Sequence, residues 1–250
     1  MRDRGTILVT GATGFVGRAV EPALVAAGWR TRCLTRNAAR ARVRRPTLDW
    51  VEGDVADDES CARALAGCTA ALYLVHGIGE GKHLRRREVA AARTFARQAS
   101  AAALLRIVYL GGVAPAGRAS EHLQSRLEVG ATLRAGAVPC VELRASMIIG
   151  HGSLSWLIVR DLAARLPVMV LPRWLESRTE PLAIDDAVVA LVRALDVPLD
   201  GSAWFDVPGP EALSGRQSST RRRAPSATPS RPSSRCRCSR RGCRRCGCAS

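Results

Sequence analysis

Short apolar runs alternate with longer stretches of helical periodicity through residues 1–214. The apolar runs are bounded by turn-forming residues and have the length of buried strands, whereas the intervening stretches repeat apolar residues every three or four positions. This alternation predicts βαβ units and hence an α/β fold with a parallel sheet. The predicted strands are Thr6–Thr10, Thr31–Thr35, Asp49–Glu52, Ala70–Val75, Ile107–Leu110, Cys140–Arg144 and Ala203–Val207.

The helical segments show the same pattern most clearly in a long alanine-rich stretch, whose apolar face would pack on the sheet. That face consists of Val89, Ala92, Phe95, Ala96 and Ala99. After about residue 150 the pattern loosens, and we expect a small, truncated C-terminal substrate lobe there. The predicted helices are Phe15–Ala27, Glu59–Ala66, Leu84–Ala101, Glu121–Ala135, Ser155–Arg165 and Asp185–Leu195.

The pattern stops at Ser214. Residues 215–250 contain no Leu, Ile, Val, Phe, Met, Trp or Tyr, so we expect a disordered Arg/Ser/Cys-rich tail that cannot bury enough apolar surface to fold. The abrupt change suggests a frameshift product, and a native basic tail that binds nucleic acid is the alternative. A third interpretation is a zinc cluster, but the spacing is loose and no histidine supports it, so we predict no metal site. Its ligands would be Cys236, Cys238, Cys243 and Cys246.

The net charge and the cysteines have to be considered separately for this tail and for residues 1–214. Of the formal net charge of +16, the tail carries +11 and residues 1–214 carry +5, so inferences about acidic partners concern the tail alone.

No uncharged apolar run reaches membrane-spanning length and no signal peptide is recognisable, so we expect a soluble, cytoplasmic protein. Four cysteines beside apolar residues are interpreted as buried free thiols. They are Cys33, Cys61, Cys68 and Cys140.

The strongest chemical signal is the glycine loop, residues 11–17 (GATGFVG), which follows the first strand and opens the first helix. Gly11 lets the chain turn out of the sheet, Gly14 clears the backbone for a diphosphate, and Gly17 allows close helix–strand packing. The helix N-terminus adds unpaired N–H groups and a positive dipole end. This context predicts a doubly wound Rossmann domain with a dinucleotide site; a turn without a ligand is the alternative. The predicted contact residues are Gly11, Thr13, Gly14, Phe15, Val16 and Gly17.

The residue after the second strand distinguishes the two nicotinamide dinucleotides. Enzymes that use NAD usually carry Asp or Glu there to accept a hydrogen bond from the ribose 2′-hydroxyl, whereas this chain has Arg36. A guanidinium can hold a 2′-phosphate through two parallel hydrogen bonds, so we predict that NADP(H) is preferred, with NAD(H) as the alternative. Four further arginines nearby fit a solvated basic loop. They are Arg40, Arg42, Arg44 and Arg45.

These motifs resemble the extended and atypical short-chain dehydrogenase/reductase superfamily, whose glycine loop is TGATGxxG. The resemblance assigns Asp54 and Val55 to the cofactor site, because the segment GDV matches one in which the family's Asp contacts adenine. It covers about residues 1–213 and is greatest for NmrA-like and complex I 39-kDa-subunit-like members, many of which bind NADP(H) without known turnover. Later matches are RIVYLGG at 106–112, Leu143-Arg144 with Ile149-Gly150, and PLAIDD at 181–186.

The chain departs from that superfamily in its catalytic residues. Active members use a Tyr-x-x-x-Lys pair, in which the lysine lowers the tyrosine pKa so that the hydroxyl can exchange a proton. Neither Tyr73 nor Tyr109 has a lysine four residues later, and the chain's single lysine is Lys82. At the expected place, His122 and Arg126 share one helix face through their i, i+4 spacing.

Two interpretations of His122 and Arg126 remain open. In the first, His122 donates a proton and Arg126 holds the nicotinamide ribose; in the second, both are polar residues of a cleft without chemistry, because a nearby Arg disfavours protonated histidine. His76, after the fourth strand, would line the nicotinamide pocket at the cofactor end of the sheet. Gly111 and Gly112 end the fifth strand where the family serine would polarise a carbonyl.

Three functions are consistent with these features. The missing Tyr-Lys pair favours a non-catalytic NADP(H) binder that senses redox state or supports an assembly. The first alternative is an NADP(H)-dependent oxidoreductase on a small apolar carbonyl, alkene or quinone, with an apolar pocket within Met147–Trp174. The second alternative is a nucleic-acid-associated protein that uses the basic tail, and no membrane partner is expected.

Overall fold

The computed structural model describes residues 3–76, 82–115, 117, 119–153 and 178–214. Its helices are α1 (Phe15–Ala26), α2 (Ala38–Arg44), α3 (Asp58–Leu65), α4 (Lys82–Ala101), α5 (Glu121–Arg134) and α6 (Ile184–Ala194). Its strands are β1 (Thr6–Thr10), β2 (Arg30–Thr35), β3 (Asp49–Glu52), β4 (Cys68–Tyr73), β5 (Arg106–Gly112), β6 (Cys140–Ala145), β7 (Ile148–Ile149), β8 (Arg178–Thr179), β9 (Leu182–Ala183), β10 (Ala203–Val207) and β11 (Leu213–Ser214).

Seven of these strands form one parallel sheet in the order β10-β6-β5-β4-β1-β2-β3. The order reverses between β1 and β4, and in doubly wound folds the carboxyl ends of the strands at such a reversal form the ligand-binding crevice. The predicted α/β Rossmann architecture is therefore confirmed. The remaining short strands pair as β7 with β9 and, antiparallel, β8 with β11.

Two hydrophobic layers hold the helices on the sheet. One layer contains buried residues of α1, α2 and α6, and the other contains buried residues of α3, α4 and α5. The predicted apolar face of α4 is confirmed: Phe95 is fully buried with its alanine neighbours, and Val89 is partly buried against them. The ring of Phe95 meets Tyr73 of β4 edge-on, with 4.9 Å between the ring centroids, which fixes α4 over the centre of the sheet.

The basic stretch after Arg36 is helical, so the prediction of a basic loop was wrong. The Asn37 side chain accepts a hydrogen bond from the Arg40 backbone N–H (2.8 Å) and caps α2, while Ala38 and Ala41 bury one side of the helix. A helix of seven residues with an alanine face has little apolar periodicity, which is why the pattern missed it; the Asn cap was the available signal.

The predicted end of β5 was also placed too early. The strand continues through Gly111 and Gly112, which pair with Arg144 and Ala145 of β6.

Interpretations that concern residues 154–177 and 215–250 lie outside the described residues, including the predicted helix Ser155–Arg165, the tail and its cysteines. The boundary of the substrate lobe near residue 150 stays a prediction. Within the described ranges, no helix is both long enough and apolar enough to cross a membrane.

The four cysteines of the body are buried and free, as predicted. Burial raises the pKa of Cys33, Cys61 and Cys140 to about 12 and also raises that of Cys68. Because the thiolate is the reactive form, we expect alkylation of these cysteines at pH 8 to be at least about 100-fold slower in the native protein than in urea. Peptide-resolved mass spectrometry measures each rate; equal rates in both states would contradict the buried placement.

Candidate functional site

The glycine loop leaves the carboxyl end of β1 at the crevice between β1 and β4. The Thr10 hydroxyl donates to the Leu72 carbonyl (3.2 Å) and accepts from the Leu74 N–H (3.1 Å), which ties the ends of these strands together under the loop. Gly11 has φ +70, and a Cβ on it would lie 3.0 Å from the backbone of Leu74. A side chain would therefore be both strained and obstructed there.

The remaining two glycines let the loop fold against the start of α1. A Cβ on Gly17 would overlap the carbonyl oxygen of Gly11 and lie 2.6 Å from the Cα of Ala12. A Cβ on Gly14 would lie 3.1 Å from the same oxygen, and the Gly14 N–H donates to it at 2.9 Å. Gly14 is exposed, so the absence of a side chain leaves its backbone open to a ligand.

The first turn of α1 presents backbone N–H groups that can bind an anion. Its N-cap, Gly14, makes no side-chain hydrogen bond and no acidic residue stands in the first turn. By contrast, α2, α3 and α5 are capped by the side chains of Asn37, Asp57 and Ser120. The N–H groups and positive dipole end of α1 are thus left for an external acceptor, and the residues present fit the diphosphate of a dinucleotide.

Arg36 emerges from β2 at the same edge of the sheet, since Thr10 of β1 is in register with Leu34 of β2. Arg36 and Arg40 are exposed and have no hydrogen-bonding side-chain partner within the described residues. Arg42, in contrast, donates to the Trp50 carbonyl (2.8 Å), and Arg45 pairs with the buried Glu21. Only part of the basic segment is therefore open to a phosphate.

Asp54 and Val55 follow β3 at this edge. Asp54 accepts a hydrogen bond from the Ala56 N–H (3.0 Å), which orders the turn before α3. The Val55 side chain is buried in the core, so any contact of that residue with a ligand would come from its backbone. Thr13 is exposed at the loop surface, while Phe15 and Val16 are half-buried.

His76 and His122 are brought together by the fold. His76 lies just after β4, His122 lies in the first turn of α5, and their ring centroids are 6.2 Å apart with the rings edge to face. The Nδ1 atom of His76 is 3.3 Å from the Leu74 carbonyl. Although His76 is exposed at the surface, desolvation by the surrounding protein and then the charge of Arg126 lower the pKa of His76 to about 4, so the ring is neutral at pH 7.

Arg126 is anchored to the end of β5. Its Nη2 donates to the carbonyl of Leu110 at 3.0 Å and lies 3.4 Å from that of Gly111, while its own carbonyl accepts from the Tyr109 hydroxyl at 2.9 Å. Tyr73 and Tyr109 are both buried within the sheet layer, and burial raises the pKa of each. Neither tyrosine is therefore placed to exchange a proton with a ligand in the crevice.

The two glycines at the end of β5 lie close to side chains of β6 and α5. A Cβ on Gly111 would lie 2.8 Å from Oε1 of Glu142, and one on Gly112 would lie 2.6 Å from Cδ1 of Leu123. Glu142 is fully buried and paired with Arg134 and Arg144 at 2.8 and 2.9 Å. The buried carboxylate of Glu142 therefore obstructs a side chain at Gly111, whereas a side chain at Gly112 would require Leu123 to move.

Sequence reasoning named His76 and His122 separately and missed their contact. It also missed the anchoring of Arg126 and the hydrogen bond between Ser125 of α5 and Glu88 of α4. No local signal links these residues, because the contacts depend on how α4 and α5 pack beside β4 and β5. The apolar region Met147–Trp174 is described only as far as Ser153, and Ile148 and Ile149 form β7.

A glycine loop, an uncapped helix and a strand-order reversal define a dinucleotide-binding Rossmann protein. Residues 11–164 match the family model described as NAD(P)H-binding, and the chain belongs to that family. The resemblance to the short-chain dehydrogenase/reductase superfamily is confirmed, whereas the NmrA-like subgroup stays a prediction.

Two relatives carry reductase names. The chain is 28% identical over 221 residues to the ceramide reductase of Caulobacter vibrioides, with 82% of this chain and 68% of that protein covered. It is 32% identical over 221 residues to the (4-alkanoyl-5-oxo-2,5-dihydrofuran-3-yl)methyl phosphate reductase of Streptomyces griseus, with 84% and 70% covered.

A solved structure shows the same fold. A short-chain dehydrogenase/reductase superfamily protein of Agrobacterium tumefaciens with bound NAD superposes with a TM-score of 0.68 at 20% identity, over 84% of this chain and 80% of that chain. At this identity the likeness concerns architecture alone.

Proposed function

We propose that this chain is an NADP(H)-dependent reductase in which a histidine performs the proton transfer that a tyrosine performs in its superfamily. The observation that carries the proposal is the pairing of His76 with His122 beyond the carboxyl end of β4, in a chain whose two tyrosines are both buried. The reductase names of both relatives support it.

The cofactor would be held by the chain in three places. Backbone N–H groups of the glycine loop and the first turn of α1 bind the diphosphate, Arg36 binds the 2′-phosphate, and Asp54 contacts the adenine, as the superfamily resemblance implies. A bound nicotinamide would supply the hydride for a carbonyl carbon. The exposed position of Arg36 at the end of β2 favours NADP(H) over NAD(H).

The chain's own contribution to the reaction is a proton. His122 projects from the first turn of α5, and its imidazole can donate to the oxygen of a reduced carbonyl. His76, neutral at pH 7, does not compete for that proton. Arg126 takes a different role from the one predicted, because its guanidinium is bound to carbonyl oxygens of β5 and so fixes α5 on the sheet.

A non-catalytic NADP(H) binder, acting as a redox sensor or assembly factor, is the second candidate. The anchoring of Arg126 favours it, because Nη2 of Arg126 donates to a carbonyl of β5 and not to a nicotinamide ribose. The nucleic-acid function depends on residues 215–250, which lie outside the described part of the chain, and it stays a prediction.

Calorimetric titration with NADPH and NADH tests the cofactor, and NADPH oxidation with a panel of ketones, aldehydes and quinones tests turnover. We expect NADPH to bind more tightly than NADH, and His122→Gln to slow turnover about 100-fold while leaving binding unchanged. His83→Gln, which changes an exposed histidine of α4, is the matched control. Binding without turnover would favour the sensor, and failure of both dinucleotides to bind would overturn the proposal.

A further inference from the structure

Three nitrogen-bearing side chains converge beyond the carboxyl ends of β4 and β5. The rings of His76 and His122 lie 6.2 Å apart, and Arg126, one helical turn after His122, is fixed by its hydrogen bond to the Leu110 carbonyl (3.0 Å). The Nε atom of Arg126 is buried and has no acceptor among the described residues. The cluster is therefore rich in donors and lacks an acceptor for at least one of them.

The charges around this cluster are unbalanced. Desolvation, then Arg126, and to a smaller extent His122 disfavour a proton on His76, while Glu88 of α4 opposes them. The Glu88 carboxylate accepts a hydrogen bond from the buried Ser125 hydroxyl. Arg85 of α4 and Glu128 of α5, the neighbouring charged pair, neutralise each other at 3.3 Å. At His76 the effect of the positive charge of Arg126 therefore exceeds that of the negative charge of Glu88.

An anionic oxygen bound here would correct this imbalance. It would be attracted by Arg126, and its charge would raise the pKa of His76 from about 4, so that at acidic pH the protonated ring donates a charge-assisted hydrogen bond to the anion. A neutral ligand of the same shape would gain neither effect. The Leu74 carbonyl accepts a hydrogen bond from the Nδ1–H group of His76, so Nε2 is the atom left for a ligand, and it donates to an anion once the ring is protonated.

We propose that His76, His122 and Arg126 bind an anionic oxygen group, a carboxylate or a phosphate, carried by the substrate. This rests on the proposed reductase function and narrows its substrate class to anionic carbonyl compounds, in place of the small apolar substrate expected from the sequence. The cluster orients the substrate through its charge, and the oxygen that receives the proton lies next to the anionic group.

The test follows the four histidines of the chain by NMR, with oxalate as the probe and sodium chloride of equal ionic strength as its control. We expect oxalate to raise the titration midpoint of His76 by about one pH unit and to change the ring resonances of His122. The exposed His83 and His151 report any general salt effect, and their resonances should not change. An unchanged titration midpoint for His76, or an equal change in the resonances of all four histidines, would overturn the proposal.

Variants separate the cluster from other anion sites on the protein. Arg126→Gln should abolish most of the change at His76, and His122→Gln, which leaves the anchoring of Arg126 intact, should reduce it. His83→Gln should have no effect. If oxalate still moves His76 to the full extent in both Arg126→Gln and His122→Gln, these side chains do not form the site.

The experiments can reject the anion site and the reductase function independently of each other. NADPH binding together with turnover of neutral aldehydes, but with no response of the histidines to oxalate, would reject the anion site and keep the reductase. A response to oxalate without NADPH binding would reject the reductase and keep the anion site.

Discussion

Gly14→Asp weakens NADPH binding roughly 1000-fold and changes the stability of the protein little. Gly14 is the N-cap of α1, has φ −76 and ψ 176, and makes no side-chain cap. Asp is a preferred N-cap residue in this conformation, but its Cβ would lie 3.1 Å from the Gly11 carbonyl oxygen, so we expect the free energy of unfolding to stay within about 1 kcal/mol of that of the parent. The same carboxylate would occupy the place proposed for the diphosphate. Repulsion of about 4 kcal/mol between charges about 4 Å apart would weaken binding roughly 1000-fold.

Calorimetry with NADPH and thermal unfolding of the free protein measure the two effects on one sample. Gly117→Asp adds the same charge where a Cβ meets no atom within 4 Å, and it should bind NADPH like the parent. Gly14→Ala separates the steric effect from the charge. If Gly14→Asp binds NADPH within about threefold of the parent, the diphosphate does not lie at the start of α1.

Arg36→Glu reverses the preference between the two dinucleotides. The substitution removes a charge-assisted contact to the 2′-phosphate and adds repulsion, while it provides an acceptor for the 2′-hydroxyl of NADH. These contributions sum to about 4 kcal/mol, so we expect the ratio of NADPH to NADH affinity to fall about 1000-fold. Arg36 is exposed, so stability should change little.

Paired titrations of NADPH and NADH at one salt concentration give this ratio directly. Arg44→Glu makes the same charge change at an exposed position near the end of α2 and should leave the ratio close to that of the parent. A ratio that Arg36→Glu leaves unchanged would show that another group, such as Arg40, determines the cofactor preference.

The local pattern was sufficient for most of the elements and for the glycine loop. Strands β1, β3 and β10 have the predicted bounds, and the other predicted strands and helices within the described residues differ only at their ends. The pattern predicts these elements because a parallel sheet covered on both faces needs continuous apolar runs, and its helices need an apolar stripe. Helix α2 was not predicted, because its alanines and arginines give little apolar periodicity.

Residues that are close in the chain were enough to predict the fold class, the position of the three loop glycines and the absence of a Tyr-Lys pair. Three other features are visible only once the chain has folded: His76 meets His122, Arg126 is held by β5, and Glu142 and Leu123 approach Gly111 and Gly112. These contacts join residues of different elements, and their distances follow from strand order and helix packing, which no local periodicity encodes.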